Sequence, residues 1–176
     1  MGSKVLVVCY SHTGTSRHLA QMLSRMQEWP RAEIIDAQPR HGATGRWRSM
    51  VDSMLRRRPE IRYKGPSPAG HDAVVLVSPI WVWRMAGPMR SFVAEHRSEL
   101  RDVAIVSVMQ SSGAPNAEEE LTRLLGRRPV MAAAFKTQEI TEGTCAARLQ
   151  AFAAALQASE DRAVAHGPHA WTAHPV

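Results

Sequence analysis

Short apolar runs alternate with stretches whose apolar residues recur at helical spacing. Lys4 to Tyr10 (KVLVVCY) is β-rich and apolar throughout, as a strand buried on both faces must be. Leu19, Met22, Leu23 and Met26 then fall on one side of a helix. Ala32 to Asp36 reads as a second, short strand, Ala73 to Ser78 as a third, Val103 to Met109 as a fourth and Met131 to Thr137 as a weaker fifth. Pro88 opens a helix with Met89, Phe92 and Val93 on its stripe. Ala117 to Leu125 is a further helix. Thr144 to Ser159 is the last, with Ala147, Leu149, Phe152 and Leu156 on one face. Five strands alternating with helices predict an α/β domain with a parallel sheet over residues 1–160, and residues 161–176 read as a C-terminal tail.

The long connection, residues 37–72, joins the second strand to the third and so needs a crossover helix. Trp47, Met50, Val51, Met54 and Leu55 supply its apolar stripe over residues 46–58, and Pro59 stops it. The net charge of the whole chain is +6, and residues 40–64 carry all of it. Arg40, Arg46, Arg48, Arg56, Arg57, Arg58, Arg62 and Lys64 stand there against Asp52 and Glu60. A basic amphipathic helix can lie on an anionic membrane. Here, however, its apolar stripe is needed to cover the sheet, so packing is the favoured reading over peripheral membrane contact. Nucleic-acid binding is not expected, because no reading module and no interleaved aromatics accompany the charge.

The composition, 44% hydrophobic and 22% charged, suits a folded domain of 176 residues. No apolar run approaches the ~20 residues of a membrane span, and the N-terminus has no signal-peptide pattern. Two cysteines, Cys9 and Cys145, cannot build a disulfide framework or a zinc cluster. The expected setting is reducing and cytoplasmic. Cys9 is read as an inert core thiol. Glu118, Glu119 and Glu120 are read as a solvated first helical turn. His166, His169 and His174 are spaced too irregularly for a metal site.

In an open parallel sheet, ligands bind beyond the carboxyl ends of the strands. The loop after the first strand is Ser11-His12-Thr13-Gly14-Thr15-Ser16. It offers hydroxyls, a glycine and a helix N-terminus, which together suit a phosphate. It has neither the lysine of a nucleoside-triphosphate loop nor a three-glycine dinucleotide pattern, so a monophosphate ester fits best. Taken alone, it reads equally well as a Ser/Thr helix cap. The loop after the third strand, Ser78-Pro79-Ile80-Trp81-Val82-Trp83-Arg84, carries two tryptophans able to flank a flat heteroaromatic ring, although Trp83 by itself is better read as a packed side chain. The loop after the fourth, Met109 to Pro115, has small residues that let a ligand approach the backbone.

Together the three loops resemble the flavodoxin-like FMN-binding family. Tyr10 to Ser16 (YSHTGTS) is similar to its phosphate loop, Val74 to Phe92 to its third strand and first ring loop, and Val103 to Gly113 to its fourth strand and second ring loop. The crossover Gly45 to Ile61 resembles that of a bacterial subgroup, and the likeness extends to Ser159. It implies a flavodoxin-like three-layer sandwich with a five-stranded parallel sheet in order 2-1-3-4-5, and FMN bound without a covalent bond. By position, Ser11, His12, Thr13, Gly14, Thr15 and Ser16 hold the phosphate. Pro79, Ile80, Trp81 and Val82 line one side of the ring. Met109, Gln110, Ser111, Ser112 and Gly113 line the other. Three departures stand out: Trp83 replaces a frequent glycine, Gln110-Ser111 replaces a frequent Gly-Gly, and His12 brings to the phosphate loop a titratable group able, when protonated, to pair with phosphate.

The resemblance implies a flavoprotein with redox function, in which FMN carries the chemistry and the protein tunes it. No acid–base or nucleophile set is evident, and Arg84 is a candidate to stabilise a reduced, anionic ring. The favoured reading is an oxidoreductase that reduces quinones or similar small-molecule electron acceptors with NAD(P)H or a protein donor. A single-electron carrier is the alternative. Such carriers are usually acidic, whereas this basic chain would call for an acidic redox partner. A cofactor-free binding module is the third reading. Homodimers occur among related reductases, but no interface signature is evident here.

Overall fold

The computed structural model describes residues 4–37 and 58–165. The expected crossover helix over residues 46–58 lies outside these apart from Arg58, and His166, His169 and His174 lie outside them too. Among the described residues there are seven strands: β1 Val5–Tyr10, β2 Arg31–Asp36, β3 Ile61–Lys64, β4 Ala73–Trp81, β5 Arg84–Met85, β6 Asp102–Met109 and β7 Met131–Lys136. The helices are α1 Thr15–Gln27, α2 Gly87–His96, α3 Ala114–Leu125, the short α4 Thr137–Thr141 and α5 Ala146–Ala165. None of the described helices is long and apolar enough to cross a membrane.

β2, β1, β4, β6 and β7 pair in parallel in that order, which is the expected 2-1-3-4-5 arrangement. Two strands extend it, so the expectation of five is corrected to seven. β3 adds antiparallel to β2, with Asp36 opposite Ile61 and Ile34 opposite Tyr63. Its four residues alternate apolar with basic, so Ile61 and Tyr63 are half-buried while Arg62 and Lys64 face out. Tyr63 stacks on Phe92 of α2 at 5.3 Å between ring centroids. Burial, with the nearby Glu99 carboxylate, pushes the Tyr63 phenol up to about 12. The chain returns to β2 where it left it: the Ala37 N–H donates to Glu60 O at 3.2 Å. β5 is a two-residue strand folded back on β4.

Period-two alternation distributes the strand side chains between two cores. Val5, Val7, Cys9, Val75, Val77, Ala104 and Val106 meet Leu19 and Leu23 of α1 and Leu149, Phe152 and Leu156 of α5. Leu6, Val8, Tyr10, Val74, Leu76 and Ile105 meet Met89, Phe92 and Val93 of α2 and Ala117 and Leu121 of α3. Each buried Leu, Val or Phe contributes about 1.5–3 kcal/mol over its exposed state. β1 is buried along its whole length, as its unbroken apolar run requires.

Cys9 is fully buried, and burial pushes its thiol up to about 12, with Glu33 adding to the effect. Cys145 is buried and raised for the same leading reason. Neither thiol has the depressed pKa of a nucleophile. α5 extends to Ala165, beyond its expected end at Ser159. Its Arg148 donates to the carbonyl of Ala134 at 2.8 Å and lies over the Phe135 ring at 4.8 Å, covering part of β7.

Candidate functional site

The three loops singled out in the sequence leave the carboxyl ends of β1, β4 and β6, and they converge on one cavity of about 450 Å³. His12, Thr13, Thr15, Ser16, Pro79, Ile80, Trp81, Val82, Met109, Gln110, Ser111 and Ser112 all line it. The volume lies within the range of small-molecule sites.

At one end of the cavity lies the start of α1. Its N-cap is Gly14 at φ 98°, and no side chain caps the helix. That geometry removes the helix-cap reading of the loop. The Ser11 hydroxyl instead accepts the Gly14 N–H at 3.0 Å, which folds the loop upon itself. Ser11 and Gly14 therefore shape the loop rather than line the cavity. The first turn carries no acidic residue to oppose its positive dipole end. Arg17 is engaged elsewhere, paired with Glu33 at 2.5 Å.

At the other end stand Trp81 and the β4–β5 hairpin. The Trp81 ring meets Tyr10 edge-on at 5.8 Å and His12 edge-on at 5.9 Å between centroids. Tyr10 is fixed in turn by donating to Asp36 Oδ2 at 2.7 Å. Val82 and Trp83 form the two-residue tip, at φ 49° and 57°. Tips of this kind favour Asn-Gly; left-handed backbone costs bulky side chains about 1–3 kcal/mol each.

The reading of Trp83 as a side chain packed into the core or onto a neighbouring helix is corrected here. Its side chain is 58% exposed, it lines the cavity, and its Nε1–H donates to Ser112 Oγ at 2.9 Å. A left-handed tip swings the indole out over the β6–α3 loop, a position that apolar patterning cannot foresee. Gly113, at φ 114°, lies under the tip; a Cβ there would sit 2.7 Å from Trp83 Cα and 2.9 Å from Ile80 Cγ2. It is a packing contact of the cavity wall and not a lining residue.

The foot of the hairpin rests on a buried ion pair. Arg90 of α2 is 1% exposed and Glu120 of α3 is 4% exposed. Arg90 donates to Met85 O at 2.6 Å, Glu120 Oε2 accepts the Met85 N–H at 3.2 Å, and the two side chains meet at 3.5 Å. The solvated reading of Glu118 to Glu120 is thus corrected at Glu120. Glu119 is exposed and pairs with Arg123 one helical turn on. A run of three glutamates gives no sign of which one faces a buried arginine on another helix.

Val108 and Thr137 also line the cavity. Thr137 follows β7 and donates to Met109 O at 3.4 Å, tying two loops together. The strand-end rule reached it in principle, because it closes the fifth predicted strand. Arg84 is not among the lining residues. Beside Thr137, Glu139 accepts the Lys136 backbone N–H at 2.7 Å; that bond, with Arg148 nearby, holds its carboxyl below the usual carboxylate range. Among the described residues, no carboxylate lines the cavity and His12 is the one titratable lining residue. Among the described residues, no cluster of three or more His, Cys, Asp or Glu side chains could hold a metal.

No family model matches the chain, and no curated protein matches it in sequence. Solved structures do. A flavoprotein from Lactobacillus acidophilus, crystallised in complex with FMN, is similar with a TM-score of 0.67 at 16% identity, over 81% of this chain and 99% of that one. A candidate flavoprotein from Bacteroides eggerthii is similar with a TM-score of 0.66 at 23% identity, over 86% and 98%. A WrbA-like flavodoxin from Agrobacterium tumefaciens is similar with a TM-score of 0.57 at 16% identity, over 91% and 98%. With its parallel 2-1-3-4-5 core, its helices on both faces and these neighbours, the chain has the flavodoxin-like fold.

Proposed function

We propose that this chain is an FMN-binding oxidoreductase that reduces quinones or similar small acceptors with NAD(P)H or a protein donor. The observation that carries the reading is one cavity joining an uncapped helix N-terminus to a tryptophan-walled mouth. A phosphate monoester bearing a flat ring matches both ends. The cavity residues fit FMN chemically: hydroxyls and a helix dipole for the anion, aromatic and apolar walls for the ring. The similar Lactobacillus protein holding FMN supports the same ligand.

In this reading Thr13, Thr15, Ser16 and the first N–H groups of α1 hold the phosphate, and Ser11 and Gly14 keep the loop in shape. His12, when protonated, adds a positive charge to that end. Pro79, Ile80, Trp81 and Val82 wall one side of the ring, and Met109, Gln110, Ser111 and Ser112 the other, with Gly113 packed behind them. Bound there, FMN supplies hydride acceptance and stepwise electron release. The lining residues contribute no carboxylate to repel a reduced, anionic ring or an anionic acceptor. The chain's net charge of +6 favours acceptors and partners of negative sign.

The test is an absorbance spectrum of purified protein before and after incubation with FMN and desalting. Retained near-ultraviolet and blue flavin bands are expected. Loss of all flavin at every concentration tried would move the function to a cofactor-free binding module. Retained flavin with no quinone turnover under NAD(P)H would favour a single-electron carrier.

A further inference from the structure

Trp83 is a large apolar side chain left 58% exposed, on left-handed backbone that it adopts with Val82. Nothing in its own sequence neighbourhood favours either condition. The indole is nevertheless engaged, because its Nε1–H reaches Ser112 Oγ at 2.9 Å. Ser112 belongs to the β6–α3 loop, so this bond runs from one wall of the cavity to the other. Beneath it, Gly113 admits the hairpin backbone at a distance no side chain allows. At the hairpin foot, Arg90 and Glu120 grip both backbone groups of Met85. The hairpin thus has a fixed foot and a tip fastened by a single neutral side-chain hydrogen bond.

We propose that Trp83 and Ser112 form a latch between the two loops at the ring end of the cavity, and that this latch sets how fast a planar ring ligand escapes. The proposal rests on the FMN reading of the cavity. The latch is remote in sequence from the α1 terminus and shares no group with it. Breaking it therefore changes ligand release while leaving anion recognition in place. A neutral hydrogen bond at an exposed mouth is weak enough to open and close repeatedly. The fixed foot confines that opening to the tip.

Three full-length variants test this: Ser112→Ala, Trp83→Phe and Trp83→Gly. FMN release is followed by flavin fluorescence after dilution, and amide hydrogen exchange is followed in the protein without FMN. Ser112→Ala and Trp83→Phe are each expected to speed release about threefold to tenfold, the range a neutral hydrogen bond spans. Combining them should add little, because both remove the same bond. Trp83→Gly is expected to speed release more than tenfold, yet leave the thermal midpoint without FMN equal or higher, because glycine is at ease at that φ. A merely structural role would move retention and stability in the same direction. Exchange in segments 80–86 and 108–115 should quicken in Ser112→Ala.

Release at the wild-type rate in both Ser112→Ala and Trp83→Phe would overturn the latch and leave the FMN reading standing. Unchanged exchange in the two segments would overturn it as well. If the wild-type protein holds no FMN while exchange in both segments quickens, the FMN reading falls, and with it the role in flavin release, while the link between the loops stands.

Discussion

The two ends of the cavity are built in opposite ways. At the α1 end every local preference agrees: a glycine takes the left-handed N-cap position, a serine folds the loop, and hydroxyls follow on the helix. At the hairpin end local preference is overruled, with valine and tryptophan at φ 49° and 57°. Distant contacts hold that end in place: Ser112, Gly113 and the Arg90–Glu120 pair. One end is specified by its own short string and the other by three separate parts of the chain. The first should therefore tolerate change elsewhere in the molecule, and the second should not.

The sharpest way to break this comparison is at Glu120. Glu120→Ala removes the buried carboxylate that meets Arg90 and accepts the Met85 N–H. It should cost about 3–5 kcal/mol in denaturant unfolding, whereas replacing both residues by apolar ones of similar volume should cost far less. Glycines at the two ends give the next contrast. Gly113→Ala meets both a positive φ and the Trp83 backbone, and should cost about 3 kcal/mol. Gly14→Ala meets only the positive φ, with nothing within 4 Å of a new Cβ, and should cost about 1 kcal/mol. Equal losses at the two sites would erase the proposed difference. Val82→Asn relieves the hairpin tip and should gain about 1 kcal/mol in the thermal or denaturant midpoint.

A control lies at the opposite end of the sheet from the cavity. Glu160 is buried near Asp102, Asp72 and Asp161, and burial first, then these charges, raise its carboxyl to about 7. The folded state then binds the proton more tightly than the unfolded one does. Stability from this group is present below the unfolded value near 4.5 and is lost as pH rises towards 7. Unfolding of Glu160→Gln across that window should show a flatter pH dependence and leave both ends of the cavity unaffected.

What could be read from the sequence follows the same division. The five parallel strands announced themselves through apolar runs, and the α1 loop through Thr13-Gly14-Thr15 next to a buried strand. β3 was hidden because Arg62 and Lys64 alternate with Ile61 and Tyr63, and the whole strand is only four residues long. β5 was hidden because its pairing depends on a turn that valine and tryptophan disfavour. Trp83 and Glu120 were misread for a common reason. Their partners, Ser112 and Arg90, are 29 and 30 residues away, and no periodicity encodes such a distance.

The antiparallel return of β3 has a consequence beyond the cavity. Because Ala37 is bonded to Glu60 and Asp36 faces Ile61, the chain leaves the sheet and re-enters it at neighbouring points. The two points at which residues 38–57 join the sheet are therefore adjacent. That interval holds five of the chain's arginines and a single acidic residue. That interval thus carries four of the chain's six net positive charges. A change of length there need not alter the spacing of Ala37 and Glu60, so the charge it carries can vary while β2 and β3 keep their register.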